Sequence, residues 1–102
     1  MPTDNQIEIL NFLDNEAGEA FTHYFETMEE CDDHFKNLSR LHKKAVKLPG
    51  HAGEWKTAFK NMKKLMEMEH EYGKIVRDLQ ISMRNFDDAS RAHDEYIAKN
   101  KL

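Results

Sequence analysis

Glu67 and His70 stand three residues apart, and Glu-x-x-His is the spacing by which helical bundles present a carboxylate and an imidazole to a metal ion. A second carboxylate must face them, and a hairpin turning near Gly50 puts Glu30 level with the pair. Glu30, Glu67 and His70 are therefore the candidate metal ligands. In that register Glu69 takes the inward position facing Cys31, so the preferred expectation is a chain with no metal and no cofactor. The remaining histidines, His23, His34, His42, His51 and His93, include no i, i+4 pair that would spell a zinc motif.

Cys31 is the single cysteine, set among Glu29, Glu30, Asp32 and Asp33, whereas a nucleophilic thiolate needs an electropositive setting. It is expected to act as a small buried hydrophobe. No Ser-centred elbow, phosphate-cradling glycine loop or paired-cysteine motif is present, so a non-enzymatic chain is expected.

Charge is distributed more tellingly. Residues Met1 to Phe35 carry ten acids and no Lys or Arg, and Lys36 to Lys64 carry nine bases against one acid, although the whole chain has a net charge of only -4. On a helical wheel Glu8, Glu16, Glu19, Glu26, Glu30 and Asp33 share one sector. Glu26, Glu29, Glu30 and Asp33 are the candidates for contact with a basic partner. Lys43, Lys44, Lys47, Lys56, Lys60 and Lys63 are the candidates for an acidic partner or phosphate. Nucleic acid is the less favoured partner, because the acidic half would repel a long polyanion.

The elements that carry these residues follow from spacing. Apolar or small residues recur at Leu10, Leu13, Ala17, Phe21, Tyr24, Met28, Cys31, Phe35, Leu38 and Ala45, mostly by threes and fours, with an interruption near Arg40 to Lys44. The pattern resumes at Trp55, Ala58, Met62, Leu65, Glu69, Tyr72, Val76, Leu79, Met83, Phe86, Ser90, His93 and Ile97. Thr3 and Gln6 have capping-box spacing, and Pro49 with Gly50 and Gly53 marks a turn. The prediction is an all-α single domain over residues 1–102: a long antiparallel helical hairpin with helices at about 4–47 and 54–99 and a turn at about 48–53. Gly18 is the one place where the first helix would break, into a three-helix bundle.

A hairpin alone has more apolar surface than one seam uses. Phe12 and Phe25 fall off the first seam, and Met68 and Ile75 widen the second, so these four are expected to mediate self-association into a homodimeric four-helix bundle. Antiparallel pairing would set the basic turn end of one copy against the acidic half of the other. The longest apolar runs are two or three residues, which predicts no membrane insertion. One cysteine and the lack of a charged-then-apolar leader predict a cytoplasmic protein. Function is expected in the class of adaptors, assembly factors or inhibitors that bind a protein partner through charged faces. Two alternatives are a carboxylate/His metal-binding bundle, similar to ferritin-like bundles in its Glu-x-x-His, and an acidic nucleic-acid mimic that occupies a DNA-binding protein.

Overall fold

The computed structural model describes residues 1–45, 50 and 52–102. Two helices account for the regular structure among them, α1 (Asp4–Ala45) and α2 (Ala52–Asn100), packed against each other as a hairpin. The capping box forms in both directions: the Thr3 N–H donates to Gln6 Oε1 at 2.9 Å, and the Gln6 N–H donates to Thr3 Oγ1 at 3.2 Å. Two of the free donors at the start of α1 are satisfied in this way. α2 ends on Lys101 at φ 56°, with the Leu102 N–H donating to the Ile97 carbonyl at 3.0 Å. That is a Schellman closure, here built on a lysine in the left-handed region where glycine is the usual occupant.

α1 runs unbroken through Gly18, as expected, so the three-helix alternative is excluded; the cost of about 1 kcal/mol for a mid-helix glycine is outweighed by packing on both sides of it. One expectation about the turn changes. Gly53 is helical and does not belong to the turn, and the Gly50 N–H donates to Glu54 Oε2 at 2.6 Å ahead of α2. The expected end of the first helix at Lys47, and the turn residues Leu48, Pro49 and His51, lie outside the described residues.

The seam between the helices follows a strict heptad. Residues 10, 13, 17, 20, 24, 27, 31, 34, 38, 41 and 45 of α1 are all at least half-buried, and so are residues 58, 61, 65, 68, 72, 75, 79, 82, 86, 89, 93, 96 and 100 of α2. Lettering Leu10 and Ala58 as a makes these the a and d positions. The seam thus contains Ala20, Thr27, His34 and Leu41 where Phe21, Met28 and Phe35 were expected, and Leu41 carries it through the anticipated interruption. In α2, Asn61, Met68 and Ser82 take the places expected for Met62, Glu69 and Met83, which are exposed, whereas Ile75, Ala89 and Tyr96 join Val76, Ser90 and Ile97, which are half-buried as expected. At Ala20–Phe21, Thr27–Met28 and Ser82–Met83 the smaller side chain of the pair is the one at the contact and the larger is left exposed beside it.

The chain divides into two compact units, Met1–Met28 with Asp78–Leu102 (unit 1) and Glu29–Arg77 (unit 2). In unit 1, Phe86 receives Phe21 edge-on at 5.2 Å and stacks on Tyr24 at 6.2 Å. Nearby Thr27 and Ser82 are buried, and each closes its hydroxyl onto its own helix, Thr27 Oγ1 donating to the His23 carbonyl at 2.8 Å and Ser82 Oγ to the Leu79 carbonyl at 2.9 Å. In unit 2, Tyr72 stacks on His34 at 5.8 Å and lies 6.1 Å from Phe35. His34 Nε2 lies 3.1 Å from the Met68 carbonyl, a link between helices.

Candidate interaction surface

The sequence-derived metal ligands do not converge. Glu30 occupies a g position, Glu67 a c and His70 an f, and all three side chains are exposed. Among the described residues no group of three or more His, Cys, Asp or Glu is placed to hold a metal ion. Glu69 is exposed too and lines a side recess with Phe35, Leu38, Ser39, His42 and Lys43, so it does not face Cys31. Cys31 is buried, as expected, and its neighbour is Tyr72. Hydrogen bonding with Cys31, then burial, pushes the Tyr72 phenol above its ordinary range. His93 sits in the seam as a half-buried, polar-contacted residue, with Nδ1 3.2 Å from Asp94 and Nε2 3.9 Å from Asp14 on the other helix.

The charged candidates are all on the surface where described. Glu26, Glu29, Glu30 and Asp33 occupy c, f and g positions of α1, and Lys43, Lys44, Lys56, Lys60 and Lys63 occupy c, f and g positions of their helices. Lys47 lies outside the described residues. Asp32 and Lys36 form an i, i+4 pair at 3.0 Å, and the carboxylate holds the Lys36 ammonium above its usual range.

What the spacing alone did not disclose is an asymmetry between the two flanks of the seam. In antiparallel helices the e positions of both line one flank and the g positions line the other. Unit 2 shows this directly: Phe35 and His42 (e of α1) share a recess with Glu69 (e of α2), whereas Asn37 and Lys44 (g of α1) share another with Lys64 (g of α2). In unit 2 the g flank is polar, with Glu30, Asn37, Lys44, Lys64 and Glu71. The e flank of unit 2, with the b positions beside it, carries Phe35, Trp55, Phe59, Met62 and Met66, of which Phe59 is 73% and Met66 68% exposed. The same positions of unit 1 carry Ile7, Phe21, Phe25, Met28 and Met83, all exposed. An apolar face at a, d and e, covering about three sevenths of the helix, is the pattern of a helix in a bundle and is wider than a two-helix seam requires.

This sorts the residues expected to mediate self-association. Phe25 lies on the apolar flank. Phe12 is exposed at a c position, away from it, and Met68 and Ile75 are half-buried d residues of the seam itself. The residues missed by sequence reading are Phe21, Met28, Phe35 and Met62, assigned there to the seam, and Phe59 and Met66. Their sevenfold spacing was visible, but nothing in it separates an e position from a d.

No helix among the described residues is long and apolar enough to cross a membrane. No protein-family model, curated protein or solved structure matches the chain.

Proposed function

We propose that this chain is a helical interaction protein, of the adaptor or assembly class, that lends its apolar e/b flank to partner helices and so closes a four-helix bundle. The observation that carries this reading is the rank of large exposed side chains on one flank of each unit, typified by Phe59 and Met66 in unit 2 and Phe21 and Phe25 in unit 1. Scattered exposed apolar residues need no explanation, but a contiguous apolar patch with a polar rim marks a contact surface. The hairpin by itself leaves its interior thin. Among the described residues the buried side chains are Thr27, Cys31, Ala45 and Ser82, with no Leu, Ile, Val, Phe or Met among them. Partner helices on the e/b flank would complete that core. The charges at f positions beside that flank, Glu8 in unit 1 and Lys43, Lys56 and Lys63 in unit 2, then act as a rim, selecting partners by charge.

The chain used as bait in an extract of its own host tests this. Wild-type protein should retain a helical partner or a further copy of itself, and the double variant Phe59→Glu, Met66→Glu should lose it while keeping its helical circular dichroism. Retention of the same partners by a folded double variant would refute the reading.

A further inference from the structure

The accessible surface is 8206 Å² for a 12.0 kDa chain, whereas a compact monomer of that mass exposes about 6,000 Å². The excess is larger than the roughly 800 Å² per partner that a standard stable interface covers. Taking about 200 Å² for each whole side chain, the exposed fractions of the Phe, Trp and Met residues on the e/b flanks leave roughly 1,000 Å² of apolar surface per copy. The area available therefore matches what a dimer needs.

Charge says which dimer. Unit 1 holds eleven acids against four bases, net -7, and unit 2 holds eleven bases against eight acids, net +3. At the described e, b and f positions of the two helices the contrast recurs locally: in unit 1 five exposed acids, Asp14 and Asp94 among them, stand against Arg84 and Arg91, and in unit 2 five exposed bases, Lys43, Lys56 and Lys63 among them, stand against Glu29, Asp32 and Glu69. Resting on the interaction reading above, we propose that the occupant of this flank is a second copy of the chain, related by a two-fold axis and antiparallel, with unit 1 of each copy on unit 2 of the other. Both contacts of such a pair join opposite charges, and the two-fold makes the surface self-complementary. Parallel pairing would set -7 on -7 and +3 on +3. An anionic lipid surface fits the lysine-edged flank of unit 2, but the acid-edged flank of unit 1 would be repelled from it, so the second copy satisfies both flanks where lipid satisfies one.

Lysine-specific crosslinking of the unmodified chain tests the orientation. Lys56 and Lys60 belong to unit 2 and Lys99 to unit 1, so a link between them that joins two copies reports unit 1 of one copy against unit 2 of the other. Antiparallel pairing predicts inter-copy links from Lys99 or Lys101 to Lys56 or Lys60, told from links within one copy by mixing light and isotope-labelled chains. An equal mixture of light and isotope-labelled chains reads the opposite case: inter-copy links confined to Lys56 with Lys56, or Lys43 with Lys43, would overturn the orientation while leaving the interaction reading intact. Sedimentation equilibrium from roughly 1 to 200 µM should show a dimer, with the dissociation constant raised at least ~100-fold by Phe59→Glu with Met66→Glu. A wild-type monomer throughout that range would overturn the second copy as occupant, as would binding of a monomer to phosphatidylserine vesicles through the same two residues. Neither of those results would touch a different helical partner recovered by the bait.

Discussion

Gly18 and Gly73 both lie inside helices, and replacing each with alanine should stabilise the fold. A Cβ built on either meets no atom within 4 Å beyond its chain neighbours and the local backbone of its own helix, and neither residue has a positive φ, so the methyl brings neither a clash nor backbone strain. The Thr22 hydroxyl, which donates to the Gly18 carbonyl at 3.0 Å, is untouched. Alanine is favoured over glycine in a helix interior by about 1 kcal/mol, part of it from the reduced freedom of the unfolded chain. Gly18 belongs to unit 1 and Gly73 to unit 2, so the two gains should add to about 2 kcal/mol. For a domain near 100 residues each 1 kcal/mol raises Tm by about 4–8 °C. Urea and thermal unfolding followed by circular dichroism, on protein dilute enough to be monomeric, read this directly, with an unchanged m-value. Both glycines occupy b positions on the apolar flank, so the gain should shrink at concentrations where a second copy packs there. A dilute single variant that gained nothing, or lost stability, would refute the continuous helix at that glycine.

Thr3→Ala removes one half of the capping box and should cost about 1 kcal/mol, seen as faster amide exchange through the first turn of α1. Ser82 is 1% exposed, and Ser82→Leu should lower stability by about 1–3 kcal/mol through overpacking of a fully buried seam position, with Ser82→Ala close to neutral in the same urea titration. Tyr72 gives a pH dependence of defined sign. Its neutral form is held by Cys31 and by burial, so its contribution is present in full below the ordinary value of 10.0; as pH rises further the unfolded chain ionises first and stability falls. Urea unfolding from about pH 8 to about pH 11 should show that decline flattened in Tyr72→Phe, and an equal slope in the two proteins would refute the link.

The helices, the capping box at Thr3 and the place of the turn were legible because each rests on local chemistry: period, a hydroxyl three residues before an amide, a proline that cannot continue a helix. The register of the seam was not, for a physical reason. An a/d pattern and an a/e pattern both repeat every seven residues, so periodicity cannot choose between them, and a choice made by size draws Phe21, Met28, Phe35, Met62 and Met83 inward. The structure chooses the other way, with Ala20, Thr27 and Ser82 at the contact and Phe21, Met28 and Met83 exposed beside it. The side chains so displaced are the ones left on the e flank. The one-residue shift in register therefore converts an apparently sufficient two-helix core into a thin one with an uncovered apolar flank. It also changes what the acid-then-base order of the sequence does. With a partner on the proposed e/b flank, charges on and beside it such as Asp14 and Lys56 would set the direction in which that partner can lie, whereas the same charges on a fully solvated hairpin would do little beyond keeping it soluble.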